Sequence, residues 1–189
     1  MLAAGTPAIP VYSLKTQTAQ YLAANGGKAD PNALYTVWGG ANDLFAIQAG
    51  APLVSTLTNA VRDQVGIVGT LKGAGAEYIV VPTIPDVGLT PGARAGGPAG
   101  MAAGTALAKA YNDALFGGLK AAGLQVIPVD TFHILQEIVA NPAQYGFVNV
   151  TSPACTTASS LTCNPTSYAT PNAANSYVFA DGVHPTTAT

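Results

Sequence analysis

The sequence has 189 residues, of which 49% are apolar and only 8% are charged, and its formal net charge is −2. This length and apolar content suit one domain with a hydrophobic core and exclude a disordered tail. The few basic residues form no stripe, which excludes nucleic acid as an expected partner. No apolar run approaches about 18 residues and residues 1–4 lack the features of a signal peptide, so the chain is predicted neither to span a membrane nor to export itself.

The first predicted element is a helix over residues 13–25, with Ser13 as its N-cap. Three runs rich in β-branched and aromatic residues follow. Near-continuous apolar runs of this length are typical of strands in a parallel sheet covered on both faces, so we predict three buried strands and place Trp38 in the core. The runs are residues 33–39 (ALYTVWG), 77–82 (EYIVVP) and 124–129 (LQVIPV).

Long helical patterns separate these strands, since apolar residues recur there at spacings of three to four. They are Leu53, Leu57, Val61, Val65 and Val68 in one segment and Leu107, Tyr111, Leu115 and Leu119 in the next. A further helix is predicted from near Phe132 to Asn141, because Pro142 disfavours helical geometry in the residue before it. Strands that alternate with helices indicate right-handed crossovers and an α/β layer fold.

Two segments show no helical or strand period. The glycine cluster over residues 88–104 is predicted to be a mobile loop that leads into a helix. From Tyr145 to about Ser176 the chain is rich in Ser, Thr, Asn and Pro, which predicts an ordered loop. Cys155 and Cys163 lie eight positions apart inside it, and this spacing favours a local disulfide over two free thiols. A disulfide in turn favours an oxidising, extracytoplasmic location.

In open α/β sheets, ligands bind beyond the carboxyl ends of the strands, which directs attention to the residues after each apolar run. Two glycines follow the first run and are followed in turn by Asn42 and Asp43. The Asn42 amide is a neutral donor of the kind that stabilises a developing oxyanion. The alternative, equally supported at this point, is that Asn42 and Asp43 cap the next helix. Asp86 ends the second run and could face the same site, although its neighbours form a turn sequence.

The second candidate feature is the pair Asp181 and His184, three residues apart in the sequence DGVHP. A carboxylate in this position can accept the imidazole Nδ1–H and leave Nε2 as a general base. The other histidine, His133, is interpreted as structural because no such carboxylate is evident beside it. Two histidines with scattered carboxylates also make a poor metal site, so no metal is expected.

Residues 40–43 (GAND) resemble the G-x-N-D block of SGNH hydrolases, the GDSL-type serine esterases and lipases, and residues 181–184 (DGVH) resemble their terminal D-x-x-H block. Residues 81–88 (VPTIPDVG) and 181–186 are most similar to esterase passenger domains of bacterial autotransporters. The resemblance covers nearly the whole chain. It implies an α/β, three-layer, flavodoxin-like SGNH hydrolase fold with a parallel sheet.

The resemblance also implies roles for four residues. Asn42 and Gly40 would form the oxyanion hole, His184 would be the base and Asp181 its orienting acid. The implied reaction is the hydrolysis of carboxylic esters with short to medium acyl chains, with a small-molecule or lipid ester as substrate and no cofactor. Acyl transfer to an alcohol is a natural variation of this chemistry. The implied location is secreted or on the bacterial cell surface.

One element of the family is missing, the strand ending in G-D-S-L that carries the nucleophilic serine. No G-D-S occurs in the sequence, and no serine follows a predicted strand in a glycine-rich elbow, so the nucleophile is unknown. The serines are Ser13, Ser55, Ser152, Ser159, Ser160, Ser167 and Ser176. We therefore expect residues 1–189 to form a single SGNH-hydrolase-like domain, incomplete at both ends and without the first strand or strands. The open edge left beside residues 33–39 is expected to favour a homodimer or poor solubility.

Two other functions stay open at this point. The chain could be a non-catalytic extracellular domain in which the two blocks only hold loops. His184 could also activate water directly with help from Asn42, because an oxyanion hole and a base give weak catalysis without a nucleophile.

Overall fold

The structure, a computed structural model, describes residues 12–189. Residues 1–4, on which the export prediction depends, lie outside this part of the chain. The helices are α1 (Leu14–Ala24), α2 (Ala41–Gln48), α3 (Leu53–Gly73), α4 (Pro91–Ala95), α5 (Gly97–Ala121), α6 (Thr131–Ala140) and α7 (Ala173–Ser176). The strands are β1 (Leu34–Thr36), β2 (Tyr78–Pro82), β3 (Ile127–Val129), β4 (Asn149–Pro153) and β5 (Tyr177–Phe179). No helix within residues 12–189 is both long enough and apolar enough to cross a bilayer.

The first three strands form a parallel sheet in the order β1-β2-β3. This confirms the predicted strands and their parallel arrangement, although each strand is shorter than its apolar run. The three parallel strands lie side by side in chain order. Right-handed crossovers between such strands place the connecting helices on the same face of the sheet. Helices α3 and α5 accordingly pack against each other. The result is an α/β architecture consistent with the flavodoxin-like SGNH fold.

The prediction that both faces of the sheet are covered is wrong for the described residues. Leu34 pairs with Tyr78 in register, and Ile127 pairs with Val80, so these four residues share one face. Leu34, Tyr78 and Ile127 are 65%, 50% and 45% exposed, whereas Ile79 on the opposite face is fully buried. Strand β1 also pairs only with β2 among residues 12–189. The homodimer through this edge stays a prediction.

The core lies between the sheet and helices α1, α3 and α5. Polar groups inside it are paired. The buried Tyr111 hydroxyl donates to Gln64 Oε1 at 2.6 Å, and Gln64 Nε2 donates to the Val37 carbonyl at 3.2 Å. Burial raises the pKa of Tyr111 well above its ordinary value, so the phenol stays neutral. At the start of α1 the Ser13 side chain accepts a hydrogen bond from the Thr16 amide, which confirms the predicted cap.

The glycine-rich residues 88–104 are helical and not a mobile loop, which corrects the prediction. A 3-10 turn over Val87–Leu89 leads into α4, and α5 begins at Gly97. A Cβ on Gly88 would lie 2.2 Å from the Met101 carbonyl oxygen, and one on Gly104 would lie 2.8 Å from the Gly88 Cα. The glycines therefore allow backbone segments to touch, which a helical period cannot reveal.

The segment after Tyr145 also contains structure that the sequence did not predict. Strands β4 and β5 pair in parallel, and a second small core forms around them and α6. The predicted disulfide between Cys155 and Cys163 is present. The rest of the segment is the ordered loop that was expected, built from short turns that side chains cap.

Candidate active site

A cleft of about 340 Å³ opens beyond the carboxyl ends of β1, β2 and β3, where ligands of open α/β sheets bind. Residues after each strand supply its walls, and the segment around His184 closes one side. The lining residues are Trp38, Gly39, Ala41, Asn42, Phe45, Ile84, Pro85, Asp86, Val87, Thr90, Thr131, Ile134, Leu135, Ile138, Phe179, Val183, His184, Pro185 and Thr189. The cleft thus brings Asn42 and His184, far apart in sequence, to one site.

Most of this lining is apolar. Trp38 forms part of it and is 49% exposed, so its predicted place in the core is wrong. Its indole Nε1–H donates to the Thr83 carbonyl at 3.1 Å, which fixes the ring at the cleft mouth. An indole needs a partner for its N–H, and such partners are easiest to find at a surface.

The side chains of Asp181 and His184 are paired. The His184 Nδ1 lies 3.0 Å from Asp181 Oδ1 and 2.9 Å from Oδ2. The Asp181 side chain is only 4% exposed, whereas that of His184 is 62% exposed and lines the cleft. The turn that presents them is closed by a hydrogen bond from the Ala180 amide to the His184 carbonyl at 2.8 Å. In the neutral ring, a carboxylate that accepts from Nδ1–H selects the tautomer in which Nε2 is free to accept a proton.

Three backbone amides also donate to the Asp181 carboxylate. The amides of Val183 and His184 donate to Oδ1 at 3.0 and 2.8 Å, and the amide of Ser160 donates to Oδ2 at 2.7 Å. Burial raises the pKa of the Asp181 carboxyl, but these hydrogen bonds outweigh it and hold the pKa well below its ordinary value of 3.8. Asp181 is therefore a carboxylate wherever the fold is stable.

This lowered pKa predicts a pH dependence of stability. A lowered folded-state pKa contributes stability that is fully present above about pH 4 and is lost as the pH falls through the folded-state value. Asp181→Asn is expected to lower the free energy of unfolding by about 2 kcal/mol at pH 7, the scale of a hydrogen bond to a charged group. The deficit should shrink below pH 4. Urea unfolding of both proteins between pH 3 and 7 measures it.

Asp113→Asn is the matched control for this prediction. Asp113 pairs with Lys109 at 2.6 Å, but its side chain is 66% exposed, so the pair is screened by water. The control should cost less than about 1 kcal/mol at either pH. A deficit for Asp181→Asn that grows toward pH 3 would contradict the prediction.

Asn42 lies in the first turn of α2, with its side chain exposed at the cleft. Helix α2 has Gly40 as its N-cap and no capping hydrogen bond from a side chain, so the structure gives no support to a cap made by Asn42. Within the described residues the Asn42 amide makes no hydrogen bond, which leaves it free for a ligand. Its neighbour Asp43 is half-buried, and burial raises the pKa of that carboxyl.

Gly40 adopts φ +100°, a conformation that favours glycine, and a Cβ there would lie 2.3 Å from the Tyr111 ring. Gly40 itself does not line the cleft, whereas the adjacent Gly39 does. The predicted oxyanion role of Gly40 stays a prediction, and the structure assigns this glycine a packing role as well.

Asp86 lies in the cleft wall and is 2% exposed. Its Oδ1 accepts from the Gly88 amide at 3.0 Å and from the Thr105 hydroxyl at 2.6 Å, and its Oδ2 accepts from Gln136 Nε2 at 2.7 Å. Asp86 therefore caps the turn that the sequence indicated and also ties the end of β2 to α5 and α6.

No serine among residues 12–189 lines the cleft. The hydroxyl groups that do line it belong to Thr90, Thr131 and Thr189, and each donates to a backbone carbonyl. The acceptors are Val87 at 2.7 Å, Thr83, and Val178 at 2.8 Å, respectively. These hydroxyl groups are engaged in the fold, so the described residues identify no nucleophile.

His133 lies outside the cleft but does have a carboxylate partner, contrary to the prediction. Its Nδ1 lies 2.7 Å from Asp130 Oδ2, and its amide donates to Asp130 Oδ1 at 3.1 Å. Asp130 is the N-cap of α6: its carboxylate caps the helix through the His133 amide and also holds the imidazole. Both side chains are exposed, at 72% and 57%. The sequence carried this signal, since Asp130 precedes His133 by three residues, as Asp181 precedes His184.

Comparisons with known proteins find relatives that match most of the chain. The family model "GDSL-like Lipase/Acylhydrolase" matches residues 3–189. The chain is 39% identical over 176 residues to Esterase EstA of Pseudomonas aeruginosa, a match that covers 87% of this chain and 25% of that protein. It is 26% identical over 242 residues to Lipase 1 of Photorhabdus luminescens, covering 93% of this chain and 37% of that protein.

A similar match extends to plants. A GDSL esterase/lipase of Arabidopsis thaliana is 32% identical over 135 residues, which cover 64% of this chain and 37% of that protein. The chain thus spans between a quarter and two fifths of the length of these relatives. Together with the match to the family model over almost every residue, these similarities show that the chain belongs to the GDSL-like lipase/acylhydrolase family.

Proposed function

We propose that the cleft binds carboxylic esters of short to medium acyl chain and promotes their hydrolysis. The observation that carries this proposal is the pairing of His184 with a buried, hydrogen-bonded Asp181 at the edge of an apolar cleft. Ester hydrolysis by this chemistry needs a general base and an apolar surface for the acyl group, and the cleft has an imidazole and apolar walls in these positions.

Each polar residue has a distinct role in this proposal. His184 Nε2 accepts the proton of the attacking hydroxyl group or water and later returns it to the leaving alcohol. Asp181 holds the ring through Nδ1 and stabilises the imidazolium that forms. The free amide of Asn42 donates to the oxygen that becomes negatively charged in the tetrahedral intermediate.

The size and lining of the cleft support the substrate class. The volume of about 340 Å³ lies in the range of small-molecule pockets. The apolar walls formed by Phe45, Leu135, Ile138 and Phe179 suit the acyl chain. An ester bound there can place its acyl chain against these walls and its ester group beside His184.

The proposal leaves the nucleophile unassigned, because the described serines lie outside the cleft. Two routes fit the cleft residues: attack by a serine with an acyl-enzyme intermediate, and direct attack by water that His184 activates. The absence of a cleft serine within residues 12–189 equally favours a second candidate function, a domain that binds esters without hydrolysing them.

Asn42→Ala tests the oxyanion role in an assay with p-nitrophenyl esters. Loss of one oxyanion donor costs about 100-fold in kcat, and we expect that loss with KM changed little. The matched control is Asn59→Ala, because Asn59 is also an exposed helical asparagine but lies on α3 outside the cleft. Equal rates for the Asn42 and Asn59 variants would refute the oxyanion role.

The single tryptophan of the chain separates the two candidate functions. Trp38 lines the cleft, so its fluorescence should change when a non-absorbing alkyl ester binds. A fluorescence response together with turnover supports the hydrolase. A response without turnover supports the ester-binding domain, and no response argues against both.

We also propose an extracytoplasmic location, either secreted or at the cell surface. The disulfide between Cys155 and Cys163 supports it, because such bonds persist in oxidising compartments.

A further inference from the structure

The disulfide loop contacts the acid of the catalytic pair. Cys155 and Cys163 close a short loop, and Ser160 lies inside it. The Ser160 amide donates to Asp181 Oδ2 at 2.7 Å, across 21 positions of sequence. The loop is also joined to the segment before Asp181, because the Cys155 amide donates to the Ala180 carbonyl at 3.0 Å.

We propose that Ser160 is a positioning residue for His184 and acts through Asp181, with the disulfide loop holding its amide in place. This inference rests on the proposed function only for its consequence in catalysis. The contact itself is independent of turnover.

The two carboxylate oxygens of Asp181 are held in different ways. Oδ1 accepts both amides of its own turn, from Val183 and His184. Apart from the imidazole, the Ser160 amide is the one donor to Oδ2 among residues 12–189. The Ser160 amide therefore holds the second oxygen of a carboxylate whose first oxygen is held by its own turn, and the two sets of donors together fix its rotation about the Cβ–Cγ bond and the place where the imidazole can donate.

Closure of the loop makes the contact durable. A disulfide across eight positions leaves the loop few conformations, so little entropy is lost when the Ser160 amide is held at Asp181. Without the bond, the same amide would have to be ordered by a longer, freer segment. The disulfide thus contributes to the alignment of the site as well as to the fold.

Ser160→Pro removes this one N–H with little other change. Ser160 is the first residue of the 3-10 turn Ser160–Thr162, a position where proline is well tolerated. Ser159 before it is extended, with φ −136° and ψ 138°, as the residue before a proline prefers. Ser160→Ala is the matched variant that removes the hydroxyl group and keeps the amide N–H.

The readout is the tautomer of each neutral histidine, measured by ¹⁵N NMR of the imidazole nitrogens. The chain has two histidines, and His133 provides an internal reference because it pairs with Asp130 away from the loop. In the parent protein His184 should hold its proton on Nδ1. In Ser160→Pro its signals should shift toward an average of both tautomers, while His133 stays unchanged and Ser160→Ala keeps the parent spectrum.

Reduction of the disulfide by a phosphine is the second arm. The phosphine gives two electrons to the disulfide, one water molecule supplies two protons to the resulting thiols, and its oxygen converts the phosphine to the oxide. In the reduced protein, the His184 signals should again shift toward an average of both tautomers, while those of His133 stay unchanged. A His184 tautomer that is unchanged in both arms would overturn the proposal, and so would a change that extends equally to His133, because the effect would then not be local.

Ester hydrolysis supplies a separate measurement. If the chain turns over p-nitrophenyl esters, Ser160→Pro should lower kcat about tenfold with KM little changed, the scale of one hydrogen bond to a charged group. A tautomer shift without any turnover would support the positioning role of Ser160 and contradict the proposed hydrolase function. Turnover without the tautomer shift would support the hydrolase function and overturn the positioning role of Ser160.

Discussion

His184→Ala is expected to reduce the hydrolysis of p-nitrophenyl esters to the level of the buffer. A general base contributes about 100-fold to 10,000-fold to such a reaction, and removal of His184 also leaves the buried Asp181 carboxylate without its imidazole partner. The loss should lie in kcat, because the proposed function has the acyl group bind to the apolar cleft walls and these are unchanged. Initial rates over a range of ester concentrations separate the two constants.

His133→Ala is the matched control, since His133 also pairs with an aspartate but lies outside the cleft. It should keep the parent rate and lose only the exposed side-chain pair with Asp130, which costs less than about 1 kcal/mol of stability, because the backbone amide that Asp130 caps is retained. If His184→Ala keeps more than about a tenth of the parent kcat, the base is another group and the proposed mechanism fails.

Gly40→Ala is expected to destabilise the fold strongly. Two costs combine there. The backbone has φ +100°, and the added Cβ would lie 2.3–2.8 Å from atoms of the Tyr111 ring, which is fully buried. Backbone strain of this kind costs about 1–3 kcal/mol and overpacking about the same, so we expect a loss of about 4 kcal/mol in urea unfolding.

Gly50→Ala separates the two costs. Gly50 has φ +104°, close to that of Gly40, but a Cβ there has nothing within 4 Å. Gly50→Ala should therefore lower the free energy of unfolding only by the cost of backbone strain, about 1–3 kcal/mol. Equal losses for the two variants would show that Tyr111 can move aside, and the close packing under the G-x-N-D block would then not be a constraint.

The parts of the fold that could be predicted from sequence are those with strong local periodicity. Helices α3 and α5 follow from apolar residues at helical spacing, and the β2 strand follows from its continuous apolar run. The Ser13 cap could be predicted because a serine directly before a helix can accept a hydrogen bond from a free amide of the first turn. The Asp181–His184 pair could be predicted because three residues of spacing suffice for contact in a tight turn.

The parts that could not be predicted depend on contacts between distant segments. In the sequence, the glycines of residues 88–104 indicate a flexible loop. In the fold they allow α5 to contact the turn beside Asp86. Strands β4 and β5 have only five and three residues, too few for a clear strand period, and pairing with each other and packing on α6 stabilise them. The Ser160 amide has no side-chain signature at all, because a backbone donor is invisible in a sequence.

The position of Trp38 shows a further reason for error. Sequence hydrophobicity places a tryptophan in the core, but an aromatic side chain with an N–H donor also suits a ligand cleft. The same ambiguity applies to Ile134, which is 47% exposed on α6 although it belongs to an apolar pattern.

Trp38 and Ile134 make substrate preference separable from folding in this cleft. Both side chains line it while remaining about half exposed, whereas their neighbours in the wall, Leu135 and Ile138, are 7% and 4% exposed and also hold the second core. Substitutions at exposed positions rarely change stability by more than about 0.5 kcal/mol. A lineage could therefore lengthen, shorten or reshape the acyl-binding space at Trp38 and Ile134 while the scaffold around Asp181 and His184 stays the same.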